Sequence, residues 1–409
     1  MRAKIFIISE WYVPAVKAGG SVTALSKLID ALGDRFEFYL LTGDRDLGDR
    51  LPFQDVPTNR WLEFGKTRVL YATDPSARQI RKCLNTIRPD LIYLNSCFSI
   101  LTRRTLLLKR FGLIPLFPIV VAPRGEFSVG AMNLKRLRKE LYLRLANRIS
   151  FFNGIVWHAS SGSEQADITR VVSRFKLQKT VTSLANELPD ITWLEAKHSP
   201  TLRNKCTGSA KILFLSRISR KKNLEFALDA LQGISGNVTL DLYGPIEDLA
   251  YWKLCQRRIR ALPENVTVRY CGSLKPTDVA KVSEKYQFLI LPTLGENFCY
   301  VVPETMAAGC VPLVSDRTPW QNLESHGAGW VLPLENPQAW LDQLNRCVAM
   351  GSEEFSECSA NAKRYVSEWA SSQTSAAESI ALFESVLPAN SFSRTADSRQ
   401  QEDARCADA

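Results

Sequence analysis

The sequence predicts an α/β protein built from two doubly wound parallel-sheet domains, and three observations carry that expectation. Short apolar runs of strand type alternate with stretches whose leucines and valines recur at helical spacing, the pattern of successive βα units. A chain of 409 residues is long for one hydrophobic core and comfortable for two. A fresh buried-type strand, Lys211 to Ser216 (KILFLS), restarts the alternation after a polar run from about Ala196 to Ser209. The expected division is a first domain over 1–190, a linker over 191–209 and a second domain over 210–350. Helices follow over 351–387, and the polar tail 388–409 holds too little apolar surface to fold.

The composition, 45% apolar and 23% charged, is that of an ordinary soluble protein. Ten cysteines without a C-x-x-C pair read as scattered thiols in a reducing compartment, and no cluster has metal-ligand spacing. The opening MRAKIFIISE is too short an apolar run for an export signal and reads as a first strand. Leu113 to Ala122 is too short to cross a bilayer and is broken by Pro115 and Pro118. The net charge of +10 asks for a partner among nucleic acid, anionic lipid and phosphate-bearing substrates.

In the first half, Lys4 to Ser9 predicts a strand and Val22 to Leu32 a helix, with Gly19-Gly20 between them able to let a phosphate or ring approach the backbone. A glycine pair alone is as readily a plain loop. The strand Phe36 to Thr42 runs into Asp44-Arg45-Asp46, which a metal-dependent transferase would use on a divalent ion and which otherwise reads as solvated loop acids. An irregular region reaches about Thr73. Strands at Asp90 to Asn95 and Pro118 to Ala122 then alternate with helices ending near Ile87 and Phe111. Residues 133–152 predict one basic helix in which Leu134, Leu137, Leu141 and Leu145 form an apolar stripe among Lys135, Arg136, Arg138, Lys139, Arg144 and Arg148. Such a helix lies on an anionic membrane surface, or packs by its leucines with a solvated basic face; nucleic acid is disfavoured, because no aromatic residues interleave with the cations. Strands Gly154 to Ala159 and Val181 to Ala185 close this half.

In the second half, strands are expected at Val238 to Tyr243, Val266 to Cys271, Phe288 to Leu291 and Val311 to Ser315, with Arg217 and Lys222 just past the first strand of the half. The stretch Leu291 to Asp316 (LPTLGENFCYVVPETMAAGCVPLVSD) is the densest in chemistry. It reads as strand, loop, a helix from about Tyr300 to Ala308, and strand. Glu296 sits in the loop and Glu304 just inside the helix, both at the carboxyl edge where open α/β sheets bind ligands. Pro303 in the first turn and Gly309 after the last suit helix ends. The backbone around Phe298, Cys299 and Tyr300 offers N–H groups to an anion, leaving the carboxylates to accept from hydroxyl groups. Both acids are equally readable as helix-start residues favoured by the dipole.

This stretch resembles the paired-glutamate signature of the retaining glycosyltransferases of family 4. The matching run is Glu296-Asn297-Phe298-Cys299, then Glu304, Ala308-Gly309-Cys310-Val311-Pro312 and the following SDRTPWQNL; Cys299 stands where the family turn often has glycine. The resemblance implies a GT-B arrangement of two Rossmann-like domains facing a cleft, with the last helix crossing back to the first domain. It implies that Glu296 orients the donor sugar, that Glu304 meets the ribose, and that Arg217 and Lys222 grip the diphosphate. It also implies that Ser273 and Leu274 lie near the base, that Gly19-Gly20 is the amino-terminal glycine loop, and that no metal or other cofactor is needed. Arg220 and Lys221 are expected to be exposed bystanders. Arg124 stands near where many relatives have histidine, and it contacts phosphate or acceptor or else forms a surface ion pair with Glu126. His158, in a His-Ala-Ser segment followed by Glu164, is a hydrogen-bonded structural histidine, or else a general base or a contact to acceptor or phosphate. The implied activity is retaining sugar transfer from a nucleotide sugar to a glycan or lipid-linked acceptor in bacterial envelope polysaccharide assembly, in the cytoplasm or on the inner face of its membrane. A nucleotide-sugar epimerase of the same fold and an inactive nucleotide-sugar-binding scaffold are the alternatives.

Overall fold

The computed structural model describes residues 2–177, 179–189 and 205–388, which form two compact units. One comprises Met1–Phe127, Lys135–Leu188 and Thr374–Ala409; the other comprises Ser128–Leu134 and Pro189–Gln373. Most of the expected linker and nearly all of the expected tail lie outside the described residues.

The first unit carries β1 (Lys4–Ile8), β2 (Glu37–Gly43), β3 (Trp61–Phe64), β4 (Thr67–Ala72), β5 (Leu91–Asn95), β6 (Ile119–Ala122), β7 (Ile155–Ala159) and β8 (Val181–Leu184). Their order is β3-β4-β2-β1-β5-β6-β7-β8, parallel throughout except for β3 against β4. Central strands such as LIYLN (β5) are buried along their whole length, because helices cover both faces of a parallel sheet. The helix Gly20–Leu32 buries Val22, Leu25, Leu28, Ile29 and Leu32, the spacing read from the sequence. The helix Ser375–Val386 belongs to this unit too. Its Phe383 ring lies 5.5 Å from Phe36 and 5.7 Å from Tyr93, edge to face.

Two expectations are corrected here. The region before Thr73, taken as irregular, contains the β3–β4 hairpin, turned at Gly65 with φ 57°. Its outer strand β3 is an edge, and Glu63 faces Arg68 across the pair at 2.7 Å, whereas β4 (TRVLYA) lies between β3 and β2 and is buried except at Arg68. Preceded by the separate short helix Val129–Asn133, the basic helix expected over 133–152 is shorter, spanning Arg136–Arg148 after Lys135 in the left-handed conformation. Its leucine stripe does not pack inward. Leu143 and Ala146 are the buried residues, and the Tyr142 ring beside them meets Phe98 at 5.6 Å and Phe151 at 6.2 Å. An aromatic cluster therefore chooses the inner face and turns the leucines out.

The second unit holds β9 (Ser209–Leu215), β10 (Asn237–Tyr243), β11 (Val266–Tyr270), β12 (Phe288–Leu291), β13 (Val311–Ser315) and β14 (Trp330–Leu332), ordered β11-β10-β9-β12-β13-β14 and all parallel. Phe214, Ile290, Leu313 and Trp340 are fully buried in its core. Strand order reverses between β9 and β12, so the loops leaving those strands part and open a crevice at their carboxyl ends.

Candidate functional site

Arg217 and Lys222 follow β9, and Glu296 follows β12, so the two sides of the switch point in the second unit carry opposite charges. Beyond Leu215 the chain stays tied to its neighbour, with Ile218 N donating to Pro245 O at 2.9 Å. Arg217 Nη1 meets Glu247 Oε2 at 2.9 Å. One 3-10 turn, Arg220–Lys222, then directs Lys222 Nζ to Glu296 Oε1 at 2.6 Å, with the two side chains only 13% and 8% exposed.

The β12 loop is held as firmly. Thr293 Oγ1 donates to Glu296 Oε1 at 2.7 Å, Leu294 N donates to Lys221 O at 2.8 Å, and Glu296 N donates to Arg317 O at 2.9 Å. Ser315 Oγ donates to Thr293 O at 2.6 Å, so the loops after β9, β12 and β13 are laced together around the carboxylate. Burial pushes the Glu296 carboxyl up, but the ammonium groups of Lys222 and Lys221 and the hydrogen bonds from Lys222 and Thr293 outweigh it. The net position is below the ordinary carboxylate range, and the group is ionised at neutral pH.

Glu304 lies in the first turn of the helix Val301–Ala307. Between the two glutamates, Cys299 adopts φ 70°, the left-handed region that favours glycine, which is why glycine is the natural occupant of such a turn. Its thiol is buried and pushed up by that burial, then by the charges of Glu296 and Glu304 against Lys222, so all three charged groups act on one point. Phe298 is turned into the core. Its ring packs on Tyr300 at 4.5 Å, Trp320 at 5.6 Å and Trp369 at 5.6 Å, while its carbonyl accepts from Trp320 Nε1 at 2.7 Å. The Phe298 side chain thus braces the turn. Ser273 is exposed and Leu274 half-buried in the loop after β11, where Gly272 O accepts from Gly244 N at 2.8 Å.

Gly19, Gly20, Arg124 and His158 belong to the first unit. Gly19, at φ 73°, is the residue before the helix Gly20–Leu32. Arg124 is corrected: its partner is not Glu126 but Glu187, at 2.7 Å, in an ion pair only 6% and 4% exposed. Its other nitrogens donate to Asn95 Oδ1 at 3.1 Å and to the Tyr93 hydroxyl at 3.0 Å, so the guanidinium is engaged by protein on each side described. His158 is hydrogen-bonded within the fold, as its structural reading expects. Its Nε2 lies 2.9 Å from Ala185 O and must carry the proton, leaving Nδ1 to accept from Tyr93 OH at 2.7 Å. Burial first, and Arg124 second, lower its pKa to about 3. The acids Asp44 and Asp46 are buried, not solvated, and Asp46 accepts from Val16 N at 2.8 Å, Lys17 N at 3.0 Å and Leu47 N at 2.7 Å, fixing the turn before Gly19.

Sequence reasoning missed Thr293, Ser315 and Trp320, whose hydrogen bonds hold the loop, and set Lys221 aside. Lys221 is half-buried; burial lowers its pKa and the Glu296 charge raises it, whereas Arg220 is exposed as expected. No spacing in the sequence separates Lys221 from Arg220, its exposed neighbour in the same turn. Among the described residues, no three His, Cys, Asp or Glu side chains gather as metal ligands do.

Residues 209–350 match the family model for glycosyl transferases group 1. The matched segment is the second unit's sheet with its crevice, loops and helix Pro337–Ala349. Among solved structures, HepE from Anabaena in complex with UDP-glucose is similar at 18% identity and a TM-score of 0.67, over 93% of this chain and 99% of that one. Sucrose-phosphate synthase from Thermosynechococcus elongatus is similar at 17% identity and a TM-score of 0.67, over 94% and 99%. WaaG, a glycosyltransferase involved in lipopolysaccharide biosynthesis, is similar at 12% identity and a TM-score of 0.63, over 93% and 99%. At such identities the likeness is one of fold, and it agrees with the two parallel-sheet α/β units of the GT-B class expected from the sequence. None of the curated proteins compared matches the chain.

Proposed function

We propose that the chain is a retaining glycosyltransferase that moves a sugar from a nucleotide-sugar donor to a glycan acceptor, lipid-linked, in cell-envelope polysaccharide biosynthesis. The observation that carries the reading is the ion pair of Lys222 with Glu296 at the switch point, with Arg217 on the same strand end and Glu304 within electrostatic reach of the same turn. The family match over this unit and the UDP-glucose held by HepE support a nucleotide-sugar donor; WaaG's lipopolysaccharide role supports the envelope setting.

In this reading Arg217 and Lys222 hold the donor's diphosphate and stabilise the negative charge that grows on it as the sugar departs. Glu296, ionised and fixed by three loops, accepts from the donor sugar's hydroxyl groups and keeps the anomeric carbon aligned. Glu304 accepts from the ribose. The acceptor hydroxyl attacks the face the leaving group vacates and passes its proton to the departing phosphate, so configuration is kept without a covalent intermediate and without a metal.

A thermal-shift panel of UDP-, GDP- and ADP-sugars identifies the donor, because a ligand that binds only the folded state raises the melting temperature. Glu304→Ala should reduce the shift given by that donor, and Arg217→Ala should slow transfer more than it weakens binding. An Arg217→Ala enzyme that turns over at the normal rate contradicts the assignment. Nucleotide release that needs no added glycan would favour epimerisation instead.

A further inference from the structure

The first unit carries an outward apolar face that its own core does not use. On the helix Arg136–Arg148, Leu137 is 83% exposed, Leu141 59% and Leu145 55%, with Ile149 exposed just beyond its end. These residues recur every fourth position, and at roughly 3.6 residues per turn they make one stripe, with Arg138, Arg144 and Arg148 within or beside it. Residues 135–148 hold six cations and one carboxylate. That carboxylate, Glu140, is shared by Arg136, Arg144 and Arg174, which leaves Lys135, Arg138 and Arg148 without an acidic neighbour in their own helix.

A second element extends this face. The helix Ile100–Arg110 ends against the end of the basic helix, with Arg110 Nε donating to Ile149 O at 2.6 Å and Lys109 Nζ donating to Asn153 O at 2.8 Å. The chain that leaves it exposes Phe111 to 68%, Leu113 to 46% and Leu116 to 86%. Residues 100–118 contain four cations and no carboxylate. Large apolar side chains on a loop beside an apolar stripe, both set among cations, are a combination that water alone does not favour.

We infer that this face, the stripe Leu137/Leu141/Leu145 together with the loop Phe111–Leu116, docks on an anionic phospholipid surface. The leucines and Phe111 enter the boundary between headgroups and acyl chains, while the arginines and lysines meet lipid phosphates. Charge complementarity selects that occupant. A second copy of the chain would bring two basic faces together, and nucleic acid would leave the leucines in water. No described helix is long and apolar enough to cross a membrane, so the association is with one leaflet. The inference does not depend on the donor-site reading, which supplies only its purpose of bringing the enzyme to a lipid-linked acceptor.

The test is flotation of the full chain with vesicles of phosphatidylcholine alone and of phosphatidylcholine mixed with phosphatidylglycerol. The expected result is recovery with the mixed vesicles, falling as salt is raised, and little with the neutral ones. Leu137→Glu combined with Leu141→Glu should lower the apparent partition constant at least tenfold, and Leu116→Glu severalfold. These side chains are exposed, so the melting temperature and the donor-induced thermal shift should stay as in the parent. Equal recovery with both vesicle types, or substituted chains that float like the parent, overturns the inference. So does a lipid-free dimer that Leu137→Glu dissociates, since the face then serves a second copy. Failure of the donor reading would instead show as no thermal shift with any nucleotide sugar, whatever the vesicles report.

Discussion

Glu296 and Lys222 stand almost out of water, and each is tolerable there only because of the other. Lys222→Ala should therefore destabilise the second unit by about 3–5 kcal/mol in urea unfolding, since it leaves a buried carboxylate uncompensated. Because the Glu296 carboxyl is held below its ordinary range in the fold, its contribution is fully present above the unfolded value near about 4.3 and is lost as pH falls through the lower folded value. His158 acts in the same direction for a different reason. Its folded pKa of about 3 lies below the unfolded value near about 6.5, so over that window the unfolded chain binds a proton that the folded chain refuses. Unfolding free energy should thus decline by a few kcal/mol, on the order of magnitude, between those pH values. His158→Gln should flatten that part of the pH profile; an unchanged slope would contradict the neutral, doubly bonded ring. At Cys299 the left-handed backbone costs about 1–2 kcal/mol with any side chain. Cys299→Gly relieves that strain and gives up a small buried group, so stability should move by less than about 1 kcal/mol. Cys299→Val exchanges the thiol for two methyl groups on a branched Cβ, which the left-handed backbone tolerates less, and should melt earlier.

Among the elements, the helix Ser375–Val386 shows how sequence distance hides structure. Nothing local says that Phe383 packs on Phe36 and Tyr93, more than 280 residues upstream. Phe383→Ala should cost about 3–5 kcal/mol and lower the first unit's melting temperature. The buried strands were legible because parallel strands covered on both faces read as unbroken apolar runs, as in β5 and β12. The β3–β4 hairpin was not: β3 is a short edge strand, and β4, although apolar and buried, is interrupted by Arg68, which pairs with Glu63 across the hairpin. The leucine periodicity of the basic helix was legible too, but not its direction. Periodicity marks an apolar face, whereas Tyr142, Leu143 and Ala146 decide which face the core receives. The pairing of Arg124 with Glu187 was hidden likewise, since Glu126 lies two residues away and Glu187 sixty-three. Glu126 is instead engaged by Ser96 Oγ and by the backbone N–H groups of Cys97 and Phe98.

At the scale of the molecule, two sheets each reverse strand order once, and the second places charge where that reversal opens its edge. The spacing from Glu296 to Glu304 and the cations after β9 could be read from the chain; Thr293, Ser315 and Trp320, which make the loops rigid, could not, because their roles are hydrogen bonds between loops distant in sequence. The central claim is that Arg217 and Lys222 receive the diphosphate of a nucleotide sugar whose hydroxyl groups meet the two glutamates. Its most direct test is calorimetric titration of UDP, GDP and ADP into the parent chain and into a chain carrying both Lys222→Met and Glu296→Gln. Replacing both members strands neither of them, although Lys221 loses the Glu296 charge, so the melting temperature should fall less than in Lys222→Ala. The account predicts that one nucleoside diphosphate binds the parent and binds the doubly substituted chain at least about tenfold more weakly, the loss of one charge-assisted contact worth about 1.5 kcal/mol or more. Equal affinity in the two chains, or no binding of any diphosphate to the parent, would contradict it.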